Sequence, residues 1–354
     1  MSLFWKRNDR FIGFLRQQAA AGRQNPLIVT HDNPDPDCLA SALVLRKIFD
    51  VHLGRTATIT HGGVVGRSEN RAMVKRLRIP ITPLSELNLD SFDLIAMVDT
   101  QPLTGNNSLP AKYQPHIVID HHTLGKTPPR DIPWLDIRST IGATATILYE
   151  YSMAGGIELD RRHATALFYA IKSETQDLGR EGGAADKRAY FDMLKKVDTS
   201  AIFDIVYAPV SGDYFKMLFM GLHNARIYGD ALVTNLMDIQ TADHVAEVAD
   251  MLLRHEGVKW TFVMGRCRGD VFLSLRTLNR DAEAGEVMRK VVAKFGSGGG
   301  HEMIAGGRIP GVGGGADYLR SLEEALTKIF LRAIKAPCVE GDLLVAGEAL
   351  DSQQ

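Results

Sequence analysis

The sequence has few cysteines, almost no net charge and no long apolar run. Its three cysteines, Cys38, Cys267 and Cys338, show no CxxC spacing, which argues against a disulfide framework and against a thiolate zinc site. The 41 Lys and Arg nearly balance the 42 Asp and Glu, leaving a formal charge of −1. Proteins that coat long nucleic acid carry a basic excess, so recognition of any nucleotide must be local. No apolar stretch reaches the ~18 residues that a spanning helix needs. Residues 1–23 mix Lys6, Arg7, Asp9, Arg10 and Arg16 with scattered apolar side chains. They lack the apolar core and cleavage site of a secretory signal. A cytoplasmic location without a membrane partner is therefore expected by default.

At 354 residues the chain is too long for one core of ordinary size, so two domains are expected. Residues 27–30 form a short β-branched apolar run that ends at His31, 94–98 an apolar run ending at Asp99, and 117–119 one ending at Asp120. Runs of this kind read as buried parallel strands, with a further strand at 56–60. Helical spacing predicts helices over 37–49, 68–77, 161–173 and 185–196. Another opens at Ser139-Thr140 and runs through 143–153. A single bridging helix is expected over 201–228. Strands at 231–237, 259–265 and 270–276, helices at 244–255, 282–294 and 318–334, and a glycine-rich loop over 296–307 follow. The expected fold is α/β: an N-terminal doubly wound, mainly parallel sheet domain (1–200), a linker helix (201–228) and a smaller C-terminal α/β domain (229–354). The active site is expected in the cleft between the domains, because ligands in open α/β sheets bind at the carboxyl ends of strands.

Those strand ends carry the chemistry. His31, Asp35 and Asp37 place one imidazole and two carboxylates on a turn stiffened by Pro34 and Pro36. Imidazole and carboxylate donors without thiolate suit Mn²⁺ and, less selectively, Mg²⁺, Fe²⁺ or Zn²⁺. Taken alone, the same turn also reads as a helix-capping Asx turn, and Asp99 alone as a helix cap. The triplet Asp120-His121-His122 is more telling. All seven residues fall at one edge of the inferred sheet, and that joint pattern favours a metal centre over separate structural roles.

The segment His31-x-x-x-Asp35-x-Asp37, strand-end Asp99, Asp120-His121-His122 and Ser173-Glu174-Thr175 resemble the four ordered motifs of the DHH phosphoesterase superfamily. Gly298-Gly299-Gly300-His301 resembles the signature of its associated C-terminal domain. The likeness runs from about Pro26 to the last helix. It is strongest to the compact nanoRNase and pAp-phosphatase group, related to RecJ, and to stand-alone cyclic-dinucleotide phosphodiesterases. The resemblance implies two divalent ions, Mn²⁺ first and Mg²⁺ second, about 3.5–4 Å apart, activating water and neutralising phosphoryl oxygens. One would be held by His31, Asp35 and Asp99. The other would be held by Asp37, Asp99, His121 and a carboxylate of the fourth motif. Asp120 would support the histidines from behind, and His122 would face the scissile phosphate. The fourth motif departs from the family's Ser/Thr-Asp-Thr: Glu174 stands at the aligned position, and Asp177 is the alternative ligand.

The resemblance further implies that the glycine loop and His301 grip the phosphate and base of a short nucleotide chain. Arg276 is a candidate phosphate clamp, since guanidinium binds phosphate bidentately, though a solvated strand-end charge is the other reading. The expected function is hydrolysis of very short oligonucleotides, with the 3′-phosphate of pAp as a further substrate. The alternative is a cyclic dinucleotide of the c-di-AMP type, and after it a non-catalytic nucleotide-binding regulator. The glycine loop argues against an inorganic pyrophosphatase. A homodimer is one open assembly state.

Overall fold

The computed structural model describes residues 3–124, 131–179, 182–279, 281–337 and 340–345, excepting the side chains of 3–6 and 301. The chain divides into two compact units, Met1–Ala208 and Pro209–Gln354. Among the described residues no helix is long and apolar enough to cross a membrane.

The first unit contains α1 (Leu3–Ala20), β1 (Pro26–Val29), α2 (Pro36–His52), β2 (Thr58–His61), α3 (Ser68–Arg76), β3 (Ile81–Pro83), β4 (Leu94–Val98), β5 (Ile117–Asp120), β6 (Trp134–Ile137), α4 (Thr144–Ala154), α5 (Arg161–Glu174), α6 (Ala184–Leu194) and α7 (Thr199–Val206). Its six strands run in the order β3-β2-β1-β4-β5-β6, and every pairing is parallel. Strand order reverses between β1 and β4, the switch point at which open α/β sheets bind ligands. β1 reads Pro-Leu-Ile-Val and is buried throughout, as a strand covered on both faces must be.

The two faces are covered differently. Ile28, Ala96, Val98, Ile117 and Ile119 join the core built with the helices. Leu27, Val29, Ile95, Met97 and Val118 instead meet Leu87, Leu89, Phe92, Leu109 and Tyr113, which lie in short turns and connections.

The second unit contains α8 (Gly212–Asn224), β7 (Arg226–Tyr228), β8 (Ala231–Asp238), α9 (His244–Leu252), β9 (Trp260–Cys267), β10 (Asp270–Thr277), α10 (Ala284–Val292), β11 (Ser297–His301), β12 (Ile304–Ile309), α11 (Ala316–Ile334) and β13 (Asp342–Leu343). Its sheet runs β11-β12-β10-β9-β8-β7-β13. It is antiparallel except for the β8–β9 pair. One face packs on α8 and α9, the other on α10 and α11. The α/β class and the parallel first sheet agree with the sequence reading.

Three expectations change. The segment 201–228 is not one helix: α7 stops at Val206, and α8 restarts at Gly212 with Ser211 as its cap. Pro209 lies between them, and proline removes a donor and disfavours helix at the preceding residue. The helix expected from Ser139-Thr140 begins instead at Thr144. The glycine-rich stretch is a hairpin, with Gly298, Gly299 and Gly300 of edge strand β11 opposite Gly307, Gly306 and Ala305 of β12.

Candidate metal centre

The centre grows from three strand ends and two helix starts. Asp35 caps α2, and its Oδ1 accepts from the amides of Asp37 and Cys38 at 3.0 and 3.1 Å. Pro36 follows at the first helical position, where its missing N–H costs nothing. Asp37 therefore sits in the first turn of α2, buried, and it performs a second capping role. Helix α4 has no side-chain cap of its own, so its first amides need acceptors from elsewhere. Thr144 N donates to Asp37 Oδ2 and Ala145 N to Oδ1, both at 2.7 Å.

Asp99 follows β4 in the left-handed conformation, with φ at +58°. Asp adopts this region more readily than most residues, and such positions concentrate at functional sites. Its Oδ1 accepts from Thr144 Oγ1 at 2.9 Å. His31 Nε2 stands 3.5 Å from Asp35 Oδ1 and 3.7 Å from Asp99 Oδ2. His121 Nε2 stands 3.8 Å from Asp37 Oδ2 and 3.7 Å from Asp99 Oδ1.

The adjacent histidines differ in protonation. His121 Nδ1 contacts the Ile141 carbonyl at 3.2 Å. A carbonyl only accepts, so Nδ1 carries the proton and Nε2 holds a lone pair. That Nε2 is buried without a hydrogen-bond partner among the described residues. Burial, with the charge of His122, pushes the His121 imidazole down to about 4. His122 Nδ1 donates to Asp120 Oδ1 at 2.8 Å, and Gln101 Nε2 holds Asp120 Oδ2 at 2.9 Å. Partial burial opposes the imidazolium, but the bond to Asp120 and its charge outweigh it, and His122 is pushed up to about 9.

Carboxylate repulsion completes the electrostatics. Burial, then the charges of Glu174 and Asp35, pushes Asp37 well above the usual carboxylate range. Burial, then Asp37 and Asp35, does the same to Asp99. Two raised carboxylates and an imidazole lone pair repel one another, and a divalent ion between them would relieve every one of these contacts. The donor set thus fits a metal. Cys38 also lies within 4.8 Å of the His31 and Asp35 donors. Its Sγ donates to the Asp35 carbonyl at 3.4 Å. Burial, followed by Asp35 and Asp99, pushes the thiol of the metal-free protein well up.

The fourth motif separates its two carboxylates. Glu174 ends α5, and its charge acts on Asp37, Asp99 and His122. Asp177 lies in a left-handed turn, with φ values of 47°, 56° and 67° at 176–178. It is bound by Lys172 Nζ at 2.6 and 2.7 Å and is 60% exposed.

In the second unit the glycines serve two ends. A Cβ on Gly298 would come within 2.8 Å of Met288, and one on Gly300 within 2.2 Å of the Ile304 carbonyl. Gly299 has nothing within 4 Å, and Gly306 across the ladder only a carbonyl at 3.9 Å. One face of the hairpin is packed and the other is bare backbone. The His301 side chain lies outside the described residues. Arg276, the candidate phosphate clamp, is held inside the fold. It is 9% exposed, and its guanidinium binds Asp250, Ser274 and the Leu275 carbonyl at 2.7, 2.8 and 3.0 Å. Sequence reasoning missed Thr144, Gln101 and the Ile141 carbonyl. None carries a motif, and their roles arise from packing.

Residues 25–171 match the DHH family N-terminal domain and residues 229–334 the DHHA1 domain. An uncharacterised protein of Methanocaldococcus jannaschii is 34% identical over 316 residues, covering 89% of this chain and 63% of that protein. A probable manganese-dependent inorganic pyrophosphatase of Deinococcus radiodurans is 28% identical over 149 residues, covering 41% of this chain and 45% of the relative. The chain thus spans less than two thirds of the length of either. The fold is similar to that of an exopolyphosphatase-related protein from Bacteroides fragilis, with a TM-score of 0.71 at 16% identity, covering 93% of this chain and 98% of the other. With its motifs in order and both domains matched, the chain belongs to the DHH superfamily and carries a C-terminal DHHA1 domain.

Proposed function

We propose that the chain is a two-metal phosphoesterase of very short oligonucleotides that also removes the 3′-phosphate of pAp. The observation that carries this reading is the buried lone pair of His121 Nε2, turned toward Asp37 and Asp99 at 3.8 and 3.7 Å. In this reading His31, Asp35 and Asp99 hold one divalent ion, and Asp37, Asp99, His121 and Glu174 hold the second. Glu174 is preferred because Asp177 is engaged by Lys172. Mn²⁺ suits the donor set best, with Mg²⁺ next, and the manganese-dependent relative supports that order. The ions would supply an activated water and neutralise phosphoryl oxygens.

The chain's own groups do the rest. Asp120 keeps His122 protonated, so His122 offers a positive charge to the phosphate and a proton to the leaving oxygen. The bare Gly299–Gly306 face lets backbone approach a ligand closely, which supports a nucleotide over a bare phosphate. The pyrophosphatase relative is matched over 41% of this chain, so pyrophosphate belongs among the test substrates.

Purified protein with Mn²⁺ is to be given pApA, pGpG, a longer RNA, cyclic di-AMP, pAp and pyrophosphate, with products separated by chromatography. Linear dinucleotides are expected to turn over fastest. Faster cleavage of the cyclic substrate, or of pyrophosphate, would overturn the substrate reading. Tight nucleotide binding without turnover would make the chain a regulator instead.

A further inference from the structure

We propose that Thr144 and Asp186 are positioning residues for the metal centre, acting through the segment 141–146; this rests on the metal-centre reading above. The segment touches three of the proposed ligands. The Thr144 and Ala145 amides hold both oxygens of Asp37 at 2.7 Å. The Thr144 hydroxyl donates to Asp99 at 2.9 Å and accepts from the His121 amide at 3.2 Å. The Ile141 carbonyl fixes the His121 tautomer at 3.2 Å. A single hydroxyl thus ties the end of β4 to the end of β5, and the start of α4 ties both to the start of α2.

Asp186 grips this segment at both ends. Its Oδ2 accepts from Gly142 N at 3.0 Å and Gly183 N at 2.8 Å, and its Oδ1 from Thr146 Oγ1 at 2.6 Å. The side chain is fully buried and has no ion pair among the described residues. A buried carboxylate without a cation is costly; two of its three donors lie in the segment that frames the centre, and the third, Gly183 N, is the cap of its own helix α6. Partners of this kind set ligand orientation, and their loss typically weakens metal binding about 10- to 100-fold.

The test is Mn²⁺ titration calorimetry on metal-free wild type, Thr144→Val, Thr144→Ser and Asp186→Asn, with thermal melting of each. Thr144→Val and Asp186→Asn should weaken binding about 10- to 100-fold, while Thr144→Ser, which keeps the hydroxyl, should stay within about twofold of wild type. Rescue by serine separates the hydroxyl from packing. Wild-type affinity in Thr144→Val, or equal losses in the Ser and Val variants, would overturn the role of Thr144. If Thr144→Val does not fold, Asp186→Asn decides: wild-type affinity there overturns the proposal. A wild-type protein that takes up no Mn²⁺ would instead sink the metal-centre reading itself.

Discussion

His121 Nε2 faces Asp99 Oδ1 across 3.7 Å, an unprotonated acceptor turned toward a carboxylate. Two acceptors in this arrangement repel unless a cation lies between them. Asp99 also lies 3.7 Å from His31 Nε2 and from His122 Nδ1, so it stands between His31 and the histidine pair. Asp99→Ala is therefore expected to abolish Mn²⁺-dependent hydrolysis and to weaken Mn²⁺ binding by about 100-fold or more. Near-normal turnover in that variant would remove Asp99 from its shared role.

The fourth motif gives a paired comparison. Glu174→Gln should lower Mn²⁺ affinity, because Glu174 is the carboxylate whose charge acts on Asp37 and Asp99. Asp177→Asn disturbs an exposed pair with Lys172 and a longer bond from the Tyr190 hydroxyl, and it should change stability by no more than about 1 kcal/mol. Calorimetric titration of both variants decides the point. A larger loss of affinity in Asp177→Asn would reverse the assignment.

The Asp120–His122 pair predicts a pH dependence of the metal-free protein. His122 is raised to about 9, above the unfolded value of about 6.5. The stability it contributes is thus full below pH ~6.5 and is lost as the pH rises through the folded value. Histidine NMR titration should find His122 near 9 in wild type and back in the ordinary imidazole range in Asp120→Asn. An unchanged titration in the variant would mean that Asp120 does not set the charge.

The glycine hairpin separates folding from binding. Gly300→Ala places a Cβ 2.2 Å from a backbone carbonyl, at φ +149°, and should lower the melting temperature of the protein. Gly299→Ala meets open space and should melt like wild type while raising KM for the dinucleotide. A Gly299→Ala enzyme with unchanged KM would take the bare face out of substrate binding.

Much of the centre was legible in the sequence because three apolar runs each end on a ligand-type residue: His31, Asp99 and Asp120. Parallel strands in one sheet end on one edge, so runs far apart in the chain converge without further information. The surroundings of Arg276 were not legible. Its position at the end of an apolar run suggested exposure, yet Asp250 of α9 reaches across and neutralises it inside the fold. The glycine run looked like a loop because glycine lacks a side chain to show strand alternation. It is a strand because α10 packs so closely on it that Gly298 has no room for a Cβ.

The sequence by itself carried the ordered motifs by which the family is recognised, the mainly parallel character of the first sheet and the set of candidate donors, since these are readable along the chain. Only the tertiary structure decided how the donors are charged and held. The capping of α4 by Asp37, the Nδ1 proton of His121 and the grip of Asp186 on residues 142–146 are contacts between segments distant in the chain. The proposed preference for Glu174 over Asp177 rests on a left-handed turn and one lysine. Burial, hydrogen-bond direction and charge proximity are properties of packed three-dimensional neighbours, and no one-dimensional pattern encodes them.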